Sequence, residues 1–178
     1  MKESIIYIIA QIIGFIAFII SLYAYHKKDK KSILDCMIVS NILNIIHYIM
    51  LNATSGFITK ALAIIRDTFV LKKSKHKRLS SVYFLYIFVF IYLSLMYATY
   101  DGIVSIFPFI ASIYYLIGIW EAGELRVKKV AMYSFIPWLI YNICVLSISG
   151  IISNIISILS TFIAIKSDKK ENNFDIKL

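Results

Sequence analysis

The chain has 178 residues, 60% hydrophobic and 15% aromatic, with a net charge of +9 and a mean hydropathy of +0.80. So apolar a composition excludes a soluble domain with an ordinary polar surface and implies a polytopic membrane protein with the lipid bilayer as its first partner. The Lys and Arg lie in short segments between apolar runs and not along one face, which argues against nucleic acid as a partner.

A helical span needs roughly 20 apolar residues. Seven runs meet or approach that length: residues 5–25, 33–51, 56–71, 81–100, 102–120, 127–146 and 150–165. The first is preceded only by Lys2 and Glu3 and followed by a basic segment, the reverse of the charge order of a cleavable signal peptide, so it is expected to stay as a span. The third and seventh are short; at a rise of about 1.5 Å per residue they would fall below the roughly 30 Å of hydrocarbon. Pro108 and Pro137 lie within the fifth and sixth runs and are expected to kink them.

Basic residues alternate along this order. Lys27, Lys28, Lys30 and Lys31 follow the first run, and Lys72, Lys73, Lys75, Lys77 and Arg78 follow the third. Arg126, Lys128 and Lys129 follow the fifth, and Lys166, Lys169, Lys170 and Lys177 follow the seventh, whereas the other ends carry only Lys2. The positive-inside rule then places the N-terminus outside and the C-terminus in the cytoplasm, with an odd number of spans.

One fixed shift of the sequence against itself sets Phe15, Ile16 and Ala17 on Phe109, Ile110 and Ala111, Ser40 on Ser134, and Ser55-Gly56 on Ser149-Gly150. The expected fold is therefore an all-α membrane protein of seven transmembrane helices in a single domain over residues 1–178: a three-helix repeat over 5–71, a linker helix over 81–100, a second, parallel repeat over 102–165, and a cytoplasmic tail over 166–178. Each repeat consists of a span, a charged loop, a span, a tight Ser-Gly turn and a short span.

The third run carries Lys60, Arg66 and Asp67. A charge at a bilayer centre costs roughly 2.5–3.5 kcal/mol on insertion scales, so such groups need a partner, a cavity or a nearby interface. Lys60 could snorkel to the outer interface, and Arg66 could reach the cytoplasmic headgroups or pair with Asp67 or Asp35. In the seventh run Ser153, Ser157, Ser160 and Thr161 share one helical face with Asn154 adjacent, and the shift matches Thr59, Lys60, Arg66 and Asp67 with Ser153, Asn154, Ser160 and Thr161, so the two runs are polar at matching depth. The second run adds Ser40, Asn41, Asn44, His47 and Tyr48, and the sixth adds Ser134, Trp138, Tyr141 and Asn142. Amides, an imidazole and aromatic planes suit a polar solute, by hydrogen bonding and stacking; the same groups also serve as glue between membrane helices.

Catalysis has no motif here. No metal-ligand spacing, paired acids or nucleophile and base stand out, so neither an enzyme nor a metal or other cofactor is expected. Cys36 and Cys144 fall near opposite membrane faces and should not form a disulfide.

The run Ile136-Pro-Trp-Leu-Ile-Tyr-Asn-Ile143, the following Ser149-Gly-Ile-Ile, Gln11-Ile-Ile-Gly14 and Ile65-Arg66-Asp67 resemble the YgjV-type family of bacterial inner-membrane proteins over about residues 8–166. The 3+1+3 plan also resembles SWEET and PQ-loop carriers and the related nicotinamide riboside transporters. That likeness implies a pocket position for Asn154 and hinge positions for Pro108 and Pro137. Gly14 and Leu43 stand where such carriers have prolines, Lys60 where they have a paired asparagine, and the Pro-Gln dipeptide is absent, so an anionic or zwitterionic solute suits this chain better than a sugar.

The expected function is a multi-pass inner-membrane transporter or facilitator of a small polar solute working by alternating access. Its candidate substrate-binding residues are Asn44, His47, Lys60, Arg66, Asp67, Trp138, Tyr141, Asn142 and Asn154. The alternative is a non-transporting structural or partner-docking membrane protein. A second copy of the chain is a further candidate partner.

Overall fold

A computed structural model describes residues 2–73, 81–120 and 124–175. Of the predicted basic segments, Lys75, Lys77, Arg78 and Lys177, and the side chains of Lys2, Lys169 and Lys170, lie outside the described residues.

The described chain is helical throughout. It forms seven α-helices, α1 (Lys2–Tyr25), α2 (Lys30–Met50), α3 (Thr54–Lys73), α4 (Val82–Ala98), α5 (Phe107–Ile119), α6 (Glu124–Cys144) and α7 (Ile148–Asp175), with a 3-10 turn at Ile103–Ile106 before α5. Three stretches are long and apolar enough to cross a membrane: Ser4–Ala24, Lys30–Met50 and Ile148–Lys166. Val82–Ala98 and Ile103–Ile119 are apolar but shorter.

Several expectations are corrected. The third and seventh elements are not short, because main-chain hydrogen bonding continues past the apolar run: α3 has 20 residues and α7 has 28. The fifth is the short one, at 13 residues. Pro108 does not kink it; the proline sits in the first turn of α5, where a missing N–H costs nothing. Pro137 does lie inside α6. Arg126, Lys128 and Lys129, expected in a loop, occupy the beginning of α6.

The reversals after α2 and α6 are also not made by glycine. Ser55-Gly56 and Ser149-Gly150 already belong to α3 and α7. The chain turns at Asn52 (φ 55°) and Leu146 (φ 53°), both left-handed. Ala53 N–H donates to Tyr48 O at 2.9 Å and Asn52 N–H to Ile49 O at 3.0 Å; Ser147 N–H donates to Asn142 O at 2.9 Å and Leu146 N–H to Ile143 O at 3.3 Å. Each turn is thus a Schellman cap, and the same pattern recurs 94 residues later. Gly56 and Gly150 serve packing instead. A Cβ on Gly56 would lie 2.9 Å from the Tyr141 hydroxyl, and one on Gly150 2.5 Å from the Asn142 side chain.

Small residues set the closest helix approach. Ala10, Ala17 and Ala24 are fully buried at heptad spacing on α1, which lets α2 reach its carbonyls: Ser40 Oγ donates to Ala17 O at 2.8 Å, and His47 Nδ1 lies 2.7 Å from Ala10 O. At the start of α2, Asp29 accepts from Ser32 N–H at 2.8 Å, and that bond holds its carboxyl below the ordinary value.

Helix α1 packs on α2, α2 on α3, α5 on α6, and α6 on α7. Across these groups α1 meets α7, α3 meets α5, and α2 touches α6, while α4 lies against α5 and α3. The exterior is apolar: Ile5, Ile8, Ile12 and Ile19 on α1 and Tyr83, Tyr86, Phe90 and Tyr97 on α4 are exposed. An apolar surface of that kind fits lipid.

Candidate functional site

The polar faces of α2, α3, α6 and α7 line a cavity of about 100 Å³, bordered further by α1 and α5. That is room for several waters and below the roughly 300–1,000 Å³ of pockets for drug-sized ligands. Eight of the nine predicted residues line it: Asn44 and His47 from α2, Lys60, Arg66 and Asp67 from α3, Trp138 and Asn142 from α6, and Asn154 from α7.

Tyr141 is the exception. It is buried outside the cavity lining, and its hydroxyl accepts from Ser55 Oγ at 3.0 Å and Gly56 N–H at 2.9 Å, so it caps the start of α3.

His47 is held in a comparable way. The Ala10 carbonyl can only accept, so Nδ1 donates to it, and Nε2 is left to accept from Ser147 Oγ at 2.9 Å. Ser147 Oγ in turn accepts from Gly150 N–H at 3.1 Å. The imidazole therefore lines the cavity with both nitrogens already bonded, and it braces the start of α7. Tyr48 OH donates to Asn142 Oδ1 at 2.9 Å, and Tyr48 stacks on Trp138 with ring centroids 5.8 Å apart.

The charged wall comes from α3. Arg66 Nε donates to Asp67 Oδ1 at 2.8 Å, and the guanidinium lies 4.6 Å from the Tyr115 ring centre. Both residues are buried, so the pair answers the cost of placing each charge in a low dielectric, and Asp35 is not the partner. Lys60 does not snorkel away. Its Nζ sits 3.9 Å over the Trp138 ring, a cation–π contact worth about 0.5–2 kcal/mol. Asn154 is 8% exposed, and its Nδ2 has no hydrogen-bond partner among the described residues.

The sequence model of Imp-YgjV, described as bacterial inner membrane protein, matches residues 8–172, a range that includes every residue lining this cavity. The chain belongs to the Imp-YgjV family. No curated protein and no solved structure matches it.

Several lining residues of this inner-membrane protein escaped the sequence reading of the site: Phe18 and Ser21 on α1, Ser112 and Tyr115 on α5, and Ser149 at the start of α7. Ser112 and Tyr115 sit in an Ile- and Tyr-rich run where nothing in periodicity separates a cavity face from a lipid face. Ser149 was visible only as half of the expected turn. The predicted Ser/Thr face of α7 divides: Ser153 and Ser157 line the cavity, Ser160 Oγ lies 3.2 Å from His26 Nε2, and Thr161 is buried elsewhere. Within the described residues, no three His, Cys, Asp or Glu side chains gather as a metal site would require. What the cavity offers is one charge-balanced pair, an ammonium, amides and hydroxyls beside aromatic faces.

Proposed function

We propose that this protein is a non-enzymatic inner-membrane carrier for a small polar solute, working by alternating access between residues 5–71 and 102–165 as two parallel three-helix halves, with α4 as linker. In this reading all seven helices cross the membrane, with the N-terminus outside and the C-terminus in the cytoplasm. The observation that carries it is the polar, charged cavity lined by α2, α3, α6 and α7 inside a bundle with an apolar exterior. Repeat carriers hold their solute in that place.

The helix contacts support the two-half plan. Exchanging α1, α2 and α3 with α5, α6 and α7 turns the contact of α1 with α7 into that of α5 with α3 and leaves the contact of α2 with α6 unchanged. Tyr48 and Asn142, 94 residues apart, meet as residues beside a two-fold axis would. The match of Thr59 Oγ1 donating to Ser55 O with Ser153 Oγ donating to Ser149 O supports the same interval.

A second reading, a non-transporting structural protein, is favoured by His47, Tyr48, Tyr141 and Asn142, which already bond to other helices. Uptake into proteoliposomes separates the two. Purified protein should move members of a panel of sugars, nucleosides, vitamins and organic acids, and bridging Tyr48→Cys to Asn142→Cys with a bifunctional maleimide, in a background lacking Cys36 and Cys144, should stop it. A folded protein that moves nothing across such a panel would favour the structural reading.

A further inference from the structure

We infer that the solute is a small monovalent anion, with the Lys60 ammonium as its counter-charge and the Asn154 amide and Ser149 hydroxyl as further donors; this rests on the carrier reading above. The charge balance of the cavity points to it. Arg66 and Asp67 cancel each other at 2.8 Å. Lys60 forms no ion pair among the described residues and rests on the face of Trp138. In its ammonium form Lys60 therefore has no counter-ion among the described residues, in a part of the protein where an unbalanced charge is costly, and a bound anion would hold it in that form.

The neutral groups around it carry the same sign of preference. Asn154 Nδ2 and Ser149 Oγ both belong to cavity-lining residues, both are without a hydrogen-bond partner among the described residues, and both can donate. A carboxylate accepts several such bonds at once, and charge-assisted bonds are roughly twice as strong as neutral ones. Asp67 Oδ2 is an unpartnered acceptor on the same wall, but Arg66 already balances its charge, so a zwitterion would leave the Lys60 charge in place. The volume of about 100 Å³ suits an anion of a few heavy atoms, of acetate to lactate size.

The test uses the full chain purified in detergent, at fixed ionic strength, with sodium acetate and sodium lactate, their neutral amides acetamide and lactamide, and the zwitterion glycine. Binding is read by thermal shift and calorimetry, and uptake in proteoliposomes. The two anions should bind saturably and the amides and glycine should not. Lys60→Gln should weaken anion binding at least about tenfold, and Lys60→Arg should largely restore it. Amides or glycine binding as well as the anions, or a folded Lys60→Gln variant with unchanged anion affinity, would overturn the inference. Uptake of neutral or zwitterionic solutes without uptake of anions would sink the anion assignment and leave the carrier standing. If the folded protein neither binds nor moves any of these, nor any solute of the wider panel, both fall.

Discussion

The hydroxyl of Tyr48 donates to Oδ1 of Asn142 at 2.9 Å, and each residue supplies the carbonyl that closes the Schellman cap of its own helix. The bond thus ties two equivalent turns, 94 residues apart, directly to one another. Tyr48→Phe should lower stability by about 0.6–1.7 kcal/mol, the range for hydrogen bonds between membrane helices. A double-mutant cycle with Asn142→Leu, read by thermal unfolding in detergent, should recover a coupling of that size, and additive losses would show that the two side chains do not interact.

Leu146 occupies the left-handed position that Asn52 fills in the other turn. Asn tolerates that conformation, whereas a residue with a bulky Cβ substituent is disfavoured by about 1–2 kcal/mol. Leu146→Asn or Leu146→Gly should therefore raise the unfolding temperature, and Asn52→Leu should lower it. Leu146 is 70% exposed, so the loss of its side chain removes little packing.

Arg66 and Asp67 stand or fall together. Asp67→Asn or Arg66→Met alone leaves one buried charge uncompensated and should cost about 3–5 kcal/mol, seen as poor yield and a lower unfolding temperature. Arg66→Met combined with Asp67→Leu should recover much of that loss. A double variant no better than either single one would mean that the pair does more than balance charge.

Orientation can be read from the two native thiols. Cys144 ends α6, on the side proposed to be outside, and is exposed; Cys36 lies near the start of α2, on the side proposed to be inside. A membrane-impermeant maleimide added to spheroplasts should label a Cys36→Ser variant and spare a Cys144→Ser variant until the membrane is opened. The reverse pattern would invert the topology.

Tight packing gives one more expectation. Gly118→Ala would set a Cβ 2.2 Å from a methyl carbon of Val130, where α5 meets α6. Overpacking of that kind costs about 1–3 kcal/mol, and trimming the neighbour with Val130→Ala in the same chain should offset part of the loss.

Much of this protein is legible in its residues one stretch at a time. Apolar runs of membrane length mark the helices, because hydropathy is a local property and a helix satisfies its own main chain. The lone charges of α3 and the helical spacing of polar groups on α2, α6 and α7 single out the cavity wall, because a polar group in lipid needs a reason wherever it stands. The interval that relates the two turns is visible at Ser55-Gly56 and Ser149-Gly150, but it implies a glycine turn that the chain does not use. Only the tertiary structure decides that Asn52 and Leu146 make the reversals, and that Arg66 takes Asp67 and not Asp35. It also separates Tyr141, which caps α3, from Asn142 beside it, which faces the cavity. The turns are local, each set by a left-handed residue that closes its cap, while the other two share one physical reason. Periodicity tells which side chains share a face of one helix, whereas the partner each one meets depends on the rotation and depth at which separate helices pack, and that is set jointly by residues far apart in the chain.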